Sequence, residues 1–354
     1  MRIFLHGTTD FAYWLTAPYP PLAADRVGSG ALTDCEPTRH SVDYTHERFP
    51  FLPMPLHVCT SSKRLRPIEG AVKHLATKRP DGKAYCRIGN GIFAAGPELC
   101  FVQLGQTLSF HELVLAGNVL CGTFFLSPSN EGRLEKRRPL TTKRRLGAFL
   151  RANPGLWGAK KAREALRWVV EGAASPPEAF LAMIFGLPFR YGGFQIAGLK
   201  INKRITPSRK AQRIAHRATL VPDILIPDAK IAIEYDSTTE HADAPRLTRD
   251  AQKRLALEAD GYKVVTVTAR QLGSCSEMER IATEVYHARN LRLRPQSRDF
   301  EAQQALLFAI EWSLGGYWAA PPEKQSLAET AYFETDWAFA QKLEKGDRVH
   351  EQQR

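Results

Sequence analysis

The stretch 219-TLVPDILIPDAKIAIEYDSTTEH-241 has two apolar runs on either side of Pro227-Asp228-Ala229-Lys230, with acids set inside both runs. A tight turn centred on Asp228 and Ala229 makes the runs an antiparallel hairpin and pairs Asp223 with Glu234. Asp236 lies two residues beyond Glu234, so the two-residue period of a strand puts it on the same face. Ile224, Ile226, Ile231, Ile233 and Tyr235 fall on the other face, which reads as a core face. Like charges facing each other in a sheet repel. Carboxylates that share a site therefore hold a proton or gather a cation. An oxygen-ligated Mg2+ (or Mn2+) suits such a pair when the substrate carries phosphates. The plainer reading is a solvated face whose acids pair with lysines and arginines.

The rest of the chain bears on which reading holds. Across 354 residues Lys and Arg exceed Asp and Glu by 12, which favours a polyanionic partner, usually nucleic acid. With 44% apolar residues the chain can build a sizeable core. The six cysteines form no C-x-x-C pair, so a structural zinc site is not expected. Free buried thiols fit a reducing, cytoplasmic setting. No secretory leader or membrane-length apolar run is read, so no membrane partner is expected.

Residues 1–131 read as a smaller N-terminal α+β domain with no catalytic cluster. Its histidines His6, His57, His74 and His111 are widely spaced and are expected to be structural. Residues 132–158 read as a basic linker. Over 132–168 there are 12 Lys or Arg against Glu135 and Glu164. Lys136, Arg137, Arg138, Lys143, Arg144 and Arg145 either lie on phosphates or are simply solvated. Residues 159–298 read as the main α/β (α+β) domain, and 299–354 as a C-terminal helix and tail. Within the main domain, short strands are expected over Phe194–Ile196 and Leu199–Ile201. A polar loop from Lys203 to Arg217 follows, with Lys203, Arg204, Arg209 and Lys210 as further phosphate contacts. From Lys200 to Arg217 there are seven basic residues and no acid. A helix spans about 244–260 with Gly261 as its terminating glycine, and a strand spans 262–268.

Three further positions stay open on sequence grounds. Ser175-x-x-Glu178 fits a capping box, yet Glu178 would also serve as a fourth acid aimed at the sheet. Arg249 and Arg254 belong either to an exposed ladder of ion pairs with Arg246, Asp250 and Lys253, or to a phosphate clamp. His241 is a proton donor, a DNA contact or a loop histidine.

Taken in order, helix with Glu178, strand with Asp223, Glu234-x-Asp236, His241, Arg249-Asp250, Arg254 and Gly261 resemble the PD-(D/E)xK, restriction-endonuclease-like superfamily. The branch of very-short-patch-repair endonucleases is the nearest. The resemblance covers about residues 165–275. It implies a mixed sheet flanked by helices, with Asp223 and Glu234 as ligands to Mg2+ and Glu178 as the helix acid. The lysine of the family's E-x-K motif is Asp236 here, which leaves the general base unassigned. Stretches such as 96-GPELCFVQL-104 and 117-GNVLCGTF-124 resemble the front halves of actinobacterial proteins grouped with AbiEi-type antitoxins. Two functions follow as expectations: a Mg2+-dependent DNA endonuclease acting in defence or repair, or a DNA-binding, antitoxin-like regulator on a degenerate nuclease fold.

Overall fold

The computed structural model describes residues 2–310 except 34, 64–65, 131 and 237–243. The chain is α+β, as expected. One four-stranded sheet lies in the first hundred residues. Ile3–Phe4 runs parallel to Ile92–Ala95, which pairs antiparallel with Tyr85–Gly89, and Arg26–Val27 completes the edge. The helices Gly7–Thr16, Pro97–Leu104 and Phe110–Leu120 pack beside it. Ser109 caps the last of these through a reciprocal box with Glu112. Asp10 lies inside the first helix, fully buried, and accepts the Ala95 amide at 2.9 Å.

The expected basic linker is an integral part of the fold. Arg133–Lys136 is a strand paired with Phe124–Ser127. Lys143–Ala152 is a helix capped by Thr142, and its Leu146 and Leu150 are buried. Their burial follows from four-residue spacing, which puts both on one helix face. Arg137, expected on phosphates, is 7% exposed, and its guanidinium donates to the carbonyls of Trp14, Ala17 and Val119. A single apolar cluster extends from Phe4 to Ile310 across this region, so the residues on either side share one core.

The second four-stranded sheet carries the acids. Its order is Lys263–Thr268, Ile231–Asp236, Ile224–Ile226, Lys200–Ile201. The hairpin has the expected register, with Ile224 opposite Ile233 and Ile226 opposite Ile231. Lys263–Thr268 joins in parallel, which makes the sheet mixed. The isoleucine face packs against the helices Pro176–Gly186 and Cys275–Ala288 through Phe180, Ile184, Met278 and Ile281. Each isoleucine buried there contributes about 1.5–3 kcal/mol relative to exposure.

The acidic face is not a solvated one. Leu225 and Ala232 share it, and it is covered by the helices Arg209–Ala215 and Ala244–Ala259 through Ala211, Ala215, Ala256 and Leu257. The first of these helices occupies part of the expected Lys203–Arg217 loop. Gly261 ends the second at φ +79°, as expected, and Tyr262 N–H returns to Leu257 O. Phe194–Ile196, expected as a strand, pairs with no strand. Its first and last amides bond the carbonyls of Ile184 and Phe185, which the end of the preceding helix leaves without partners. Among the described residues no helix is long and apolar enough to cross a membrane.

Candidate functional site

The hairpin register brings Asp223 and Glu234 side by side beneath the Ala244–Ala259 helix. Asp223 stands one residue before its strand. There its Oδ2 accepts the Tyr235 amide at 2.8 Å, so the neighbouring strand fixes the carboxylate. Glu234 pairs in register with Thr266 of the parallel strand. The side chains of both acids are 19% exposed.

Lys253 completes the cluster from the covering helix. Its Nζ lies 2.5 Å from Glu234 Oε2 and 3.9 Å from Asp223 Oδ1. Helical spacing explains its aim: Ala256 and Leu257, three and four residues on, are the buried contacts of that helix. Lys253 is thus the polar residue one turn before the apolar face, where the helix passes over the acids. The resemblance described above places a lysine two residues after the glutamate. Here an ammonium reaches the same carboxylates from a different element.

Glu178 caps its helix and also reaches toward the sheet through Asn202. Ser175 Oγ accepts the Glu178 amide and donates to Glu178 Oε1, which closes the helix start. Oε2 turns toward the sheet and accepts from the Ala174 amide and from Asn202 Nδ2, the latter at 2.5 Å. The Asn202 amide in turn donates to the Asp223 carbonyl at 2.9 Å. Asn202 therefore ties the helix acid to the strand that carries Asp223. It sits at φ +46°, a left-handed conformation that asparagine tolerates better than most residues.

The charges are coupled. Burial, followed by the Asp223 charge, pushes Glu234 up to about 8, and Lys253 offsets only part of this. Burial also raises Asp223, opposed by Lys253 and by the Tyr235 amide and reinforced by Asp250. Glu178 is raised by burial and then by Asp223. One ammonium faces several mutually repelling carboxyls, so the pair binds its protons more tightly than ordinary carboxylates do. Glu234 Oε1 is enclosed and meets no donor among the described residues.

The other expected site residues divide clearly. Asp236 ends its strand opposite Thr268, partly exposed. Among the described residues no three His, Cys, Asp or Glu side chains gather as a metal-holding set, so the three hairpin acids do not converge as expected. His241 lies outside the described residues. Arg249 is exposed, one turn before Lys253. Arg254 does not face the carboxylates; its guanidinium donates to Thr266 Oγ1.

The basic residues divide too. Lys136, Arg138, Arg144, Lys203, Arg204, Arg209 and Lys210 are exposed. Lys143 is half-buried against the Arg167 carbonyl, and Arg145 pairs with the buried Glu98 at 2.8 Å.

Sequence reasoning missed Asn202 and the role of Lys253. For Lys253 the signal was present in its spacing from Ala256 and Leu257. It also missed a histidine cluster. His57 Nδ1 and His74 Nε2 are 2.9 Å apart, and the His6 ring stacks on His74 with centroids 4.1 Å apart. Parallel pairing of Leu56–Thr60 with Ala71–Leu75 brings these residues together. The thiols are free as expected, and five of the six are buried.

No family model matches this chain, and no curated protein or solved structure is similar enough to count as a match.

Proposed function

We propose that the protein is a divalent-metal-dependent nuclease acting on DNA, with its site at Asp223, Glu234 and Lys253. The observation that carries this reading is the geometry of Asp223 and Glu234, set side by side by the hairpin register and reached by one ammonium, that of Lys253. A half-buried carboxyl pair with a raised proton affinity is a site ready to exchange a proton for a cation. Its donors are hard oxygens, as Mg2+ or Mn2+ requires, and Mg2+ commonly takes one or two carboxylates and completes its shell with water and phosphate. Asp223 and Glu234 would hold the ion. When bound, it would lower the pKa of a water and offset charge on the phosphoryl oxygens.

The chain's own groups supply the rest. With a cation bound, Asp223 and Glu234 would both be ionised. The Lys253 ammonium, which pairs with Glu234 here, would be free to stabilise charge on the phosphate or the attacking water. It takes the charge-stabilising part that Asp236 cannot. Glu178, held by Asn202, keeps negative charge behind Asp223 and strengthens cation binding.

The test is nicking of supercoiled plasmid by the full-length protein in Mg2+ against EDTA. Glu234→Gln and Asp223→Asn should abolish a Mg2+-dependent activity that the wild type shows. Equal nicking by all three proteins overturns the assignment.

A second reading has one observation in its favour. Lys253 forms an ion pair with Glu234 Oε2. A protein that binds DNA and regulates without cutting would keep such an ion pair permanently. It predicts salt-sensitive DNA binding indifferent to EDTA, with no turnover.

A further inference from the structure

Several arginines of this fold are held in ion pairs with acids. Arg26 and Arg145 meet Glu98, Arg39 meets Asp43, Arg280 meets Glu277 and Glu284, and Arg289 meets Asp228. The short helix Arg209–Ala215 and the turn after it gather three more around one basin. Arg209 and Arg213 are four residues apart on one side of the helix, and Arg217 follows in the turn after its left-handed end at His216. With Gln212, His216 and Ala218 they line an open basin of about 460 Å³. No acid lines that basin, and among the described residues none of the three guanidiniums has an ion pair or hydrogen bond.

Like charges at this spacing destabilise a helix, and Arg209 and Lys210 in its first turn oppose the helix dipole as well. The fold bears that cost without internal compensation. The opposite face of the same helix, Ala211 and Ala215, is packed on Ala256 and Leu257 of the helix that carries Lys253. The arginine row is therefore fixed to the element that roofs the acidic site. Its charge points outward beside that site.

We infer that Arg209, Arg213 and Arg217 form a cradle for the phosphate backbone of nucleic acid, holding the strand that runs alongside the Asp223–Glu234–Lys253 site. The placement of that strand rests on the nuclease reading; the binding itself does not. Planar guanidiniums gathered around one basin suit neighbouring phosphates and carry no base preference. The cradle gives affinity and alignment without sequence recognition.

The experiment is fluorescence anisotropy of full-length protein with a labelled 20-base-pair DNA duplex in EDTA, across NaCl concentrations. Arg209→Ala/Arg213→Ala/Arg217→Ala should bind at least about tenfold more weakly at 0.1 M salt. Its slope of log affinity against log salt should fall by about 2–3. Arg39→Ala/Arg48→Ala/Arg280→Ala removes the same charge elsewhere and should keep the slope within about one unit. The triple Arg→Lys cradle variant should keep the slope too, which guards against a folding defect in the alanine protein. Equal losses in both alanine variants, or none in either, overturn the cradle. So does binding to phosphatidylserine vesicles but not to DNA. Cradle-dependent binding without Mg2+-dependent nicking would sink the nuclease reading and leave the cradle standing. Nicking with cradle-independent binding does the reverse.

Discussion

The Lys253 ammonium reaches Glu234 Oε2 at 2.5 Å from a helix that sequence alone leaves open between a surface ladder and a phosphate clamp. This contact connects the roof of the site to its floor. Replacing Lys253 with Met keeps the aliphatic stem and removes the charge. Two adjacent carboxyls then lose their counter-ion at a site that is three-quarters enclosed. The expected cost is about 1–3 kcal/mol, read as a fall in the urea midpoint. Nicking should drop by about a hundredfold or more, since an ammonium near the phosphate acts mainly in the transition state. Lys253→Arg should retain stability better than activity, because the broader guanidinium pairs with Glu234 but cannot occupy the same point.

Glu234 gives a prediction with a definite sign. Its pKa in the folded chain is about 8, against 4.5 for the ordinary carboxyl. A raised carboxyl contributes stability that is fully present below 4.5 and is lost as pH rises through 8. In EDTA the wild type should therefore lose thermal stability between pH 5 and 9 relative to Glu234→Gln, which cannot titrate. Mg2+ should restore part of the loss at the alkaline end. Calorimetry in two buffers of different ionisation heat should show about one proton released on Mg2+ binding at pH 7 and almost none above pH 9.

Arg137 separates structural from nucleic-acid-binding charge. Burial lowers its pKa to about 9, and three backbone carbonyls from two distant segments depend on it. Arg137→Met should destabilise the protein by about 3 kcal/mol, several degrees in melting temperature, with DNA affinity unchanged at a temperature where the variant is folded. The exposed Arg144, replaced by Ala, should show little change in melting.

The histidine cluster sets the acid limb of stability. Burial and the neighbouring His74 and His57 lower His6 to about 3, against 6.5 for a free imidazole. The unfolded chain takes up this proton below 6.5 while the folded chain refuses it until about 3, so stability falls with pH across that window. Between pH 6.5 and 5 the loss from this residue is about 2 kcal/mol. His6→Phe keeps the ring stack and cannot titrate. Its urea midpoint should change less between pH 7.5 and 5 than that of the wild type.

The hairpin was legible because two rules agree on it. The turn residues fix the register, and the isoleucine period fixes which face is buried; both appear in the pairing of Ile224 with Ile233. The second face was misread because Leu225 and Ala232, which share it with the acids, are too few to announce a covering layer. The 132–158 segment was misread for a different reason. Its charge dominates its composition, while the residues that place it in the core are three leucines and one arginine whose partners lie about 120 positions away. Lys253 required knowing which helix face lies on the sheet, and that is settled by Ala256 and Leu257 only once the sheet is in place.

Asn202 was invisible in sequence for a related reason. Nothing in Lys200–Arg217 marks one asparagine among seven basic residues. Yet its side-chain amide bonds both Glu178 Oε2 and the Gly172 carbonyl, while its backbone amide holds the Asp223 carbonyl. Asn202→Ala frees Glu178 from the sheet but leaves its capping bonds to Ser175 and Ala174. The helix should therefore persist, with a melting change of no more than a few degrees. The charge behind Asp223 would move away, so Mg2+ binding should weaken by about tenfold, and the alkaline limb of the pH–stability curve should shift toward lower pH as Asp223 and Glu234 ionise more easily. Asn202→Asp is the sharper variant. It places a new carboxyl against Glu178, so one of the two must take up a proton, and Mg2+ affinity should acquire a second proton-linked step. A purely structural asparagine would alter melting in both variants and leave both the Mg2+ affinity and its pH dependence where they were.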